Sequence, residues 1–317
     1  MTIRSESRLE RLLHQGVFCV TSEVVPPKSG DPRPVTLQAR GLVGYADAVN
    51  VTDNPASSAH MSSSAGAALV AAAGVEPVLQ LTVRDRNRLG LTADVLGSWA
   101  LGARNILCLS GDPPVIGDHP QAKQVFDLSV IELVGLVAGL RREGRLLSGA
   151  VIESPPRFFI GVADVPLAPR YQFDRLERKV DAGSDFVQTQ IVFDVDAFQE
   201  WAEKARARGI LERMFVLVGV AVPRGPKVAR YMREHLPGVI VPDRVITLLE
   251  EAGPQAEDEG VRLTVEVVAR LKAIQGIAGI HVMGLGRMEP VRRVIEAAGL
   301  VPRPAPAAAP AAAESAF

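Results

Sequence analysis

A (β/α)8 barrel is the α/β fold that this sequence predicts. Eight short apolar runs recur along the chain, each closed by a polar or Gly/Pro break and followed by a helical pattern. At 317 residues the chain is long enough to hold eight such units in one large domain. A doubly wound open sheet is the alternative, and it calls for a GxGxxG turn after the first strand. SEVVPPKSGDP stands there instead, and Gly284-Leu285-Gly286 follows the last run and lacks a third glycine.

The elements follow in order. MTIRSESRLERLLHQG at the N-terminus is charged and amphipathic, and the first strand is VFCVTSEVV, 17–25. DAVNVTD (47–53) is the second strand, followed by an Ala-rich helix over 59–74. PVLQLTV (77–83) leads into a helix over 88–103, and NILCLS (105–110) into one over 128–144. FFIGVAD (158–164) and FVQTQIVF (186–193) come next, with a helix over 196–209. MFVLVGVAV (214–222) and GIHVMGLG (279–286) complete the strands, with helices over 261–276 and 289–300. These units make one catalytic domain over 1–300. The Pro/Ala-rich remainder, 301–317, is read as a disordered tail.

Composition narrows the function classes. The chain is 47% hydrophobic but only 5% aromatic, so its core rests on aliphatic side chains. Thirty-five basic and 36 acidic residues leave a net charge of −1, which offers no field for nucleic acid or a membrane surface. Cys19 and Cys108 both lie in apolar runs and read as reduced, buried thiols. With five scattered histidines and no CxxC or HExxH spacing, no metal is expected. Neither a signal-type apolar core nor a run of about 18 apolar residues occurs, so the expected location is cytoplasmic.

In a barrel of this kind the chemistry sits at the C-terminal ends of the strands. Those ends carry Glu23, Thr52-Asp53-Asn54, Gln80 and Thr82, Asp112, Asp164, and Gln188 with Gln190. A carboxylate in an apolar strand is costly to bury, so Glu23 either meets a cation or keeps the raised pKa of a general acid. Asp112, after Ser110-Gly111, is either a turn residue or a group aimed at a ligand. Gln188 and Gln190 share a face and either bind a polar ligand or satisfy one another. The RDRNR stretch over 84–88 reads as a salt-bridged helix start or a phosphate site.

Eight stretches resemble the methylenetetrahydrofolate reductases, flavin-dependent TIM-barrel enzymes of one-carbon metabolism and methionine biosynthesis. They are SEVVPPK (22–28), VNVTDN (49–54), LTVRDRNR (81–88), LGARNILCLSGDPP (101–114), FFIGVADVP (158–166), RLERKVDAGSDFVQTQIVFD (175–194), LVGVAVP (217–223) and GIHVMGLGRMEPVRRVIEAAGL (279–300). The resemblance implies hydride transfer from reduced flavin to 5,10-methylenetetrahydrofolate, with NAD(P)H reducing the flavin. It implies Glu23 as the general acid, Asp112 beside the flavin ring and the substrate, and Gln190 on the pterin. It further implies Thr52 near flavin and nicotinamide, Gln80, Ser110 and Gly111 at the flavin, and Arg178 and Lys179 on its dinucleotide part.

Departures from the family pattern cluster on the flavin side. Gln80 replaces a histidine, Ser110 an arginine, Val165 a tyrosine, Val24 and Val25 aromatics, and Asp53-Asn54 a Tyr-Gly pair. FAD is the implied cofactor, with FMN or no flavin as alternatives. The electron donor is NAD(P)H or a partner subunit, and a folate-binding barrel without redox chemistry is a further reading. A homo-oligomer is open, because the Ala-rich helix can pack against a second chain or an intramolecular neighbour.

Overall fold

The computed structural model of the chain describes residues 3–236 and 238–304. Eight parallel strands close on themselves in sequence order, β1 pairing with both β2 and β8. They are β1 Cys19–Val24, β2 Ala48–Val51, β3 Pro77–Thr82, β4 Asn105–Leu109, β5 Phe159–Asp164, β6 Phe186–Ile191, β7 Phe215–Ala221 and β8 Ile277–Met283. All eight coincide with the apolar runs.

The helices are α1 Arg8–His14, α2 Arg33–Arg40, α3 Ser63–Ala72, α4 Arg88–Ala100, α5 Val130–Glu143, α6 Phe173–Ala182, α7 Val195–Ala207, α8 Pro226–His235, α9 Asp243–Glu251, α10 Ala256–Ala273 and α11 Glu289–Ala297. Among the described residues none is long and apolar enough to cross a membrane.

Strand alternation divides the side chains into two populations. Outward residues such as Val20, Val49, Leu79, Ile106, Ile160, Val187, Val218 and Ile280 are buried in one aliphatic cluster with the helices. This is why the strands read as near-continuous apolar runs. Inward residues change character along the barrel. At the N-terminal end of the strands, Cys19, Val78, Leu107, Phe159, Phe186 and Leu217 pack with Leu9, Leu12 and Leu13 of α1, which plugs that end. Phe159 and Phe186 stack at 4.8 Å between centroids. Gly161 makes room for this layer, since a Cβ there would stand 2.2 Å from Cζ of Phe186.

Helix starts are locally encoded. The Asn87 side chain accepts from the N–H groups of Leu89 and Gly90 at the head of α4. Ser129 and Glu132 form a reciprocal cap on α5, and Gly144 ends it at φ 62°. RDRNR is thus a salt-bridged helix start: Arg84 pairs with Asp85, Arg86 with Asp53 and Asp94, and Arg88 with Asp127.

Side-chain packing extends a little past residue 300. The Arg303 side chain is buried and donates to Asp47 Oδ2 at 2.6 Å and to the Phe18 carbonyl at 2.9 Å. Asp47 also meets Arg8 from the other end of the chain, at 3.4 Å. A buried carboxylate needs such cations, so packing continues through 303. The rest of the expected tail, 305–317, lies outside the described residues.

Candidate active site

Toward the C-terminal ends of the strands the barrel interior turns polar and opens into a cavity of about 460 Å³. Its floor is a hydrogen-bonded layer of buried side chains. Asn50 Nδ2 donates to Gln188 Oε1 at 2.6 Å, and Gln188 Nε2 donates back to Asn50 Oδ1 at 3.1 Å. Gln188 Nε2 also reaches Thr21 Oγ1 at 3.2 Å, which lies 3.0 Å from His281 Nδ1. Burial pushes the His281 imidazole down to about 4, so it is neutral at neutral pH.

Glu23 rises from this floor on β1, opposite Asn50 in the β1–β2 register. Among the described residues its carboxyl makes no hydrogen bond or ion pair, and burial raises it from 4.5 to about 7. Of the two fates open to an acid in an apolar strand, the structure assigns it the raised pKa.

The rim over β2–β4 is heavily cross-linked. Asp53 is buried, accepts from the Thr82 N–H at 2.8 Å, and takes both Arg86 Nη atoms at 2.8 and 3.0 Å. Thr52 lines the cavity, and its buried Oγ1 has no partner among the described residues. After β4, Ser110, Gly111 and Asp112 also line the cavity. Asp112 Oδ2 accepts the Ala56 N–H at 2.9 Å, and its carbonyl accepts from Arg84 at 2.9 Å. Ala56 sits at φ 50°, a strained region for a residue with a side chain, so Asp112 pins an unusual turn. Asp112 is therefore a turn-holding residue on the lining of the cavity.

On the β5–β6 side, Asp164 receives the Tyr171 hydroxyl and stands 3.7 Å from Lys179 Nζ. Burial raises Asp164 and lowers Lys179 from their ordinary values. Lys179 also donates to the Ala163 carbonyl at 2.7 Å. Gln190 and Gln80 both line the cavity, with Gln190 Oε1 accepting the Ile191 N–H at 3.0 Å.

The family model for methylenetetrahydrofolate reductase matches residues 8–299. The chain belongs to that family. Methylenetetrahydrofolate reductase 1 of Schizosaccharomyces pombe is 29% identical over 238 residues, covering 72% of this chain and 36% of that protein. The 5,10-methylenetetrahydrofolate reductase of Salmonella typhimurium is 24% identical over 232 residues, 72% of either chain. The chain spans only 36% and 44% of the length of its fission-yeast and nematode relatives. An uncharacterized protein from Clostridium thermocellum, which binds two copies of 5-methyl-5,6,7,8-tetrahydrofolic acid, superposes with a TM-score of 0.64. It covers 93% of this chain and 99% of its own at 12% identity, a likeness of fold.

As a member of the methylenetetrahydrofolate reductases, the chain brings Glu23, Thr52, Gln80, Ser110, Gly111, Asp112 and Gln190 to one cavity. Arg178 and Lys179 do not line it. Leu176 and Val180 turn the buried face of α6 to the sheet, which leaves Arg178 exposed with Nε on the Asp174 carbonyl at 3.4 Å. Lys179 is turned inward and occupied by Ala163 and Asp164. Sequence reasoning missed Asn50, Thr21, His281 and Tyr171. Asn50 and His281 sit at inward-facing positions whose outward neighbours are aliphatic, so the alternation itself marks them; Thr21, with Val20 on one side and Ser22 on the other, is less plainly marked.

Proposed function

We propose that residues 1–300 form one catalytic unit that reduces 5,10-methylenetetrahydrofolate to 5-methyltetrahydrofolate, with NAD(P)H as the ultimate donor. One observation carries the reading: an unpaired carboxyl, Glu23, held near half-protonation at neutral pH in a polar cavity at the catalytic end of a barrel. Family membership and the named relatives support the choice of substrate, as does the folate bound by the Clostridium thermocellum protein of like fold.

In this reading Glu23 donates its proton to N10 of the folate, which releases N10 from the bridging carbon and opens the five-membered ring. The cation left at N5 is met by a lining that holds Asp112, whose carboxylate accepts only a backbone N–H, and neither Lys nor Arg. Gln190 contacts the pterin. After hydride addition to the bridging carbon, the neutral floor beneath Glu23 leaves the carboxyl free to recover a proton from solvent through the open mouth.

A bound flavin supplies the hydride in this chemistry. The lining fits a flavin ring: the partnerless Thr52 hydroxyl and the Gln80 amide would offer it hydrogen bonds, and Ser110, Gly111 and Asp112 belong to the same lining. FAD is the form the resemblance implies. Its phosphates find no cation in the lining, because Lys179 is occupied and Arg178 faces outward. That same observation favours a second reading, in which no flavin is held and electrons come from a partner subunit or from NAD(P)H directly.

The visible spectrum of gently purified protein tests the proposal. A flavin band that bleaches with NADH and recovers with methylenetetrahydrofolate is the expected result. A colourless protein that takes up neither FAD nor FMN overturns the flavin reading. Glu23→Gln is expected to abolish turnover while folate binding persists, and full activity in that variant removes Glu23 as the acid.

A further inference from the structure

Asn50 is the register partner of Glu23 on adjacent parallel strands, and both side chains line the cavity. Side chains at paired positions project to the same face, so a primary amide with two N–H donors stands beside the carboxyl. A donor in that place ordinarily favours the ionised carboxylate. Here it is withheld. The Asn50 amide gives one of its N–H groups to Gln188 and accepts one back from Gln188, at 2.6 and 3.1 Å, and held in that orientation its second N–H makes no hydrogen bond to Glu23 among the described residues. Two amides joined in both directions fix each other's orientation, because flipping either one sets donor against donor and acceptor against acceptor. Gln188 is itself anchored to Thr21 Oγ1 on β1, so the pair is braced from three strands.

The other titratable groups on the lining are already engaged. Asp53 is held by Arg86 and Thr82, and Asp164 by Tyr171 and Lys179. Asp112 holds the Ala56 N–H, and neutral His281 has its Nδ1 on Thr21. None of them forms an ion pair or hydrogen bond with Glu23. Neighbouring cations are likewise committed, Arg84 to Asp85 and Arg86 to Asp53 and Asp94. The state of the Asn50 amide is therefore the adjustable element beside the acid.

We propose that Gln188 is a positioning residue for the proton donor: by engaging both ends of the Asn50 amide it keeps that amide off Glu23, so the carboxyl retains its proton. The role deepens the reading of Glu23 as the general acid and rests on it. Gln188 does not touch the reacting atoms; it acts through Asn50.

The experiment is a carboxyl titration of Glu23 in the full-length protein, by 13C NMR or infrared difference spectroscopy, without substrate. Gln188→Leu frees the Asn50 amide to turn onto Glu23, and the midpoint is expected to fall by about one pH unit, a tenfold loss of proton affinity. Adding Asn50→Ala to that variant is expected to restore the wild-type midpoint. Asn50→Ala alone is expected to leave it in place, because the amide does not serve Glu23 in the native state. A midpoint unmoved by Gln188→Leu, or a rise in Asn50→Ala alone, overturns the proposal. Gln188→Met, closer in shape, serves if the leucine variant fails to fold. The acid reading fails separately, if Glu23→Gln retains full turnover whatever the titrations show.

Discussion

Replacing Glu23 with Gln removes a charge the fold resists, and the gain in stability has a definite pH dependence. In the unfolded chain the carboxyl releases its proton near 4.5, and in the folded protein near 7. Between those values the unfolded state has lost a proton the folded state still holds, so wild-type stability falls as pH rises. Below about 4.5 both states are protonated and no penalty exists; above about 7 both are ionised and the penalty is complete. Each pH unit of displacement is worth about 1.4 kcal/mol, so the full penalty is about 3 kcal/mol. Glutamine is isosteric with the protonated acid and carries none of it. Urea unfolding of both proteins at pH 4 and pH 8 reads the difference. The curves are expected to coincide at pH 4, and at pH 8 the variant's midpoint is expected to lie higher by about 1 M. An equal offset at both pH values would refute the reasoning, because it would show an effect of shape rather than ionisation.

Asp53→Ala is expected to cost about 2–3 kcal/mol in thermal unfolding. It strands the Thr82 N–H and half of the Arg86 interactions, while Asp94 still partners Arg86. An unchanged melting temperature would contradict this. Gly161→Ala places a methyl 2.2 Å from Cζ of Phe186, and the barrel floor is expected to lose about 1–3 kcal/mol, measured by calorimetry. The Cys108 thiol is fully buried and pushed far up by desolvation. Labelling by a disulfide reagent at pH 8 is expected to wait for unfolding, and rapid labelling of native protein would count against the packing described.

The barrel was legible because its outward strand faces are mostly aliphatic, so each strand stands out as a run. Helices α2, α6, α8 and α9 were not. FDRLERKVDA and PKVARYMREH are strongly polar and bury few residues, Leu176 and Val180 in the first and Ala229 and Met232 in the second. Their periodicity is strong, but so few apolar residues carry it that they form no apolar run to catch the eye. At the site, Glu23 was legible as an acid inside an apolar strand. The status of Asp112 was not, because its partner Ala56 belongs to another loop and no local pattern joins them. Lys179 shows the same limit: its engagement by Asp164 and Ala163 depends on how α6 is rotated against β5.

The double grip on Asp47 carries a consequence for how the chain is made. Arg8 is synthesised early and Arg303 among the last described residues, and β1 cannot find β8 until residues 277–283 exist. During translation the nascent sheet therefore presents an open β1 edge and a carboxylate short of one of its two cations. Such an edge invites pairing with another chain. Ribosomal release of residue 303 supplies the missing charge soon after β8 closes the ring, so the two seals arrive almost together. A ribosome stalled before that point would carry a nearly complete but unclosed barrel, a natural client for chaperones.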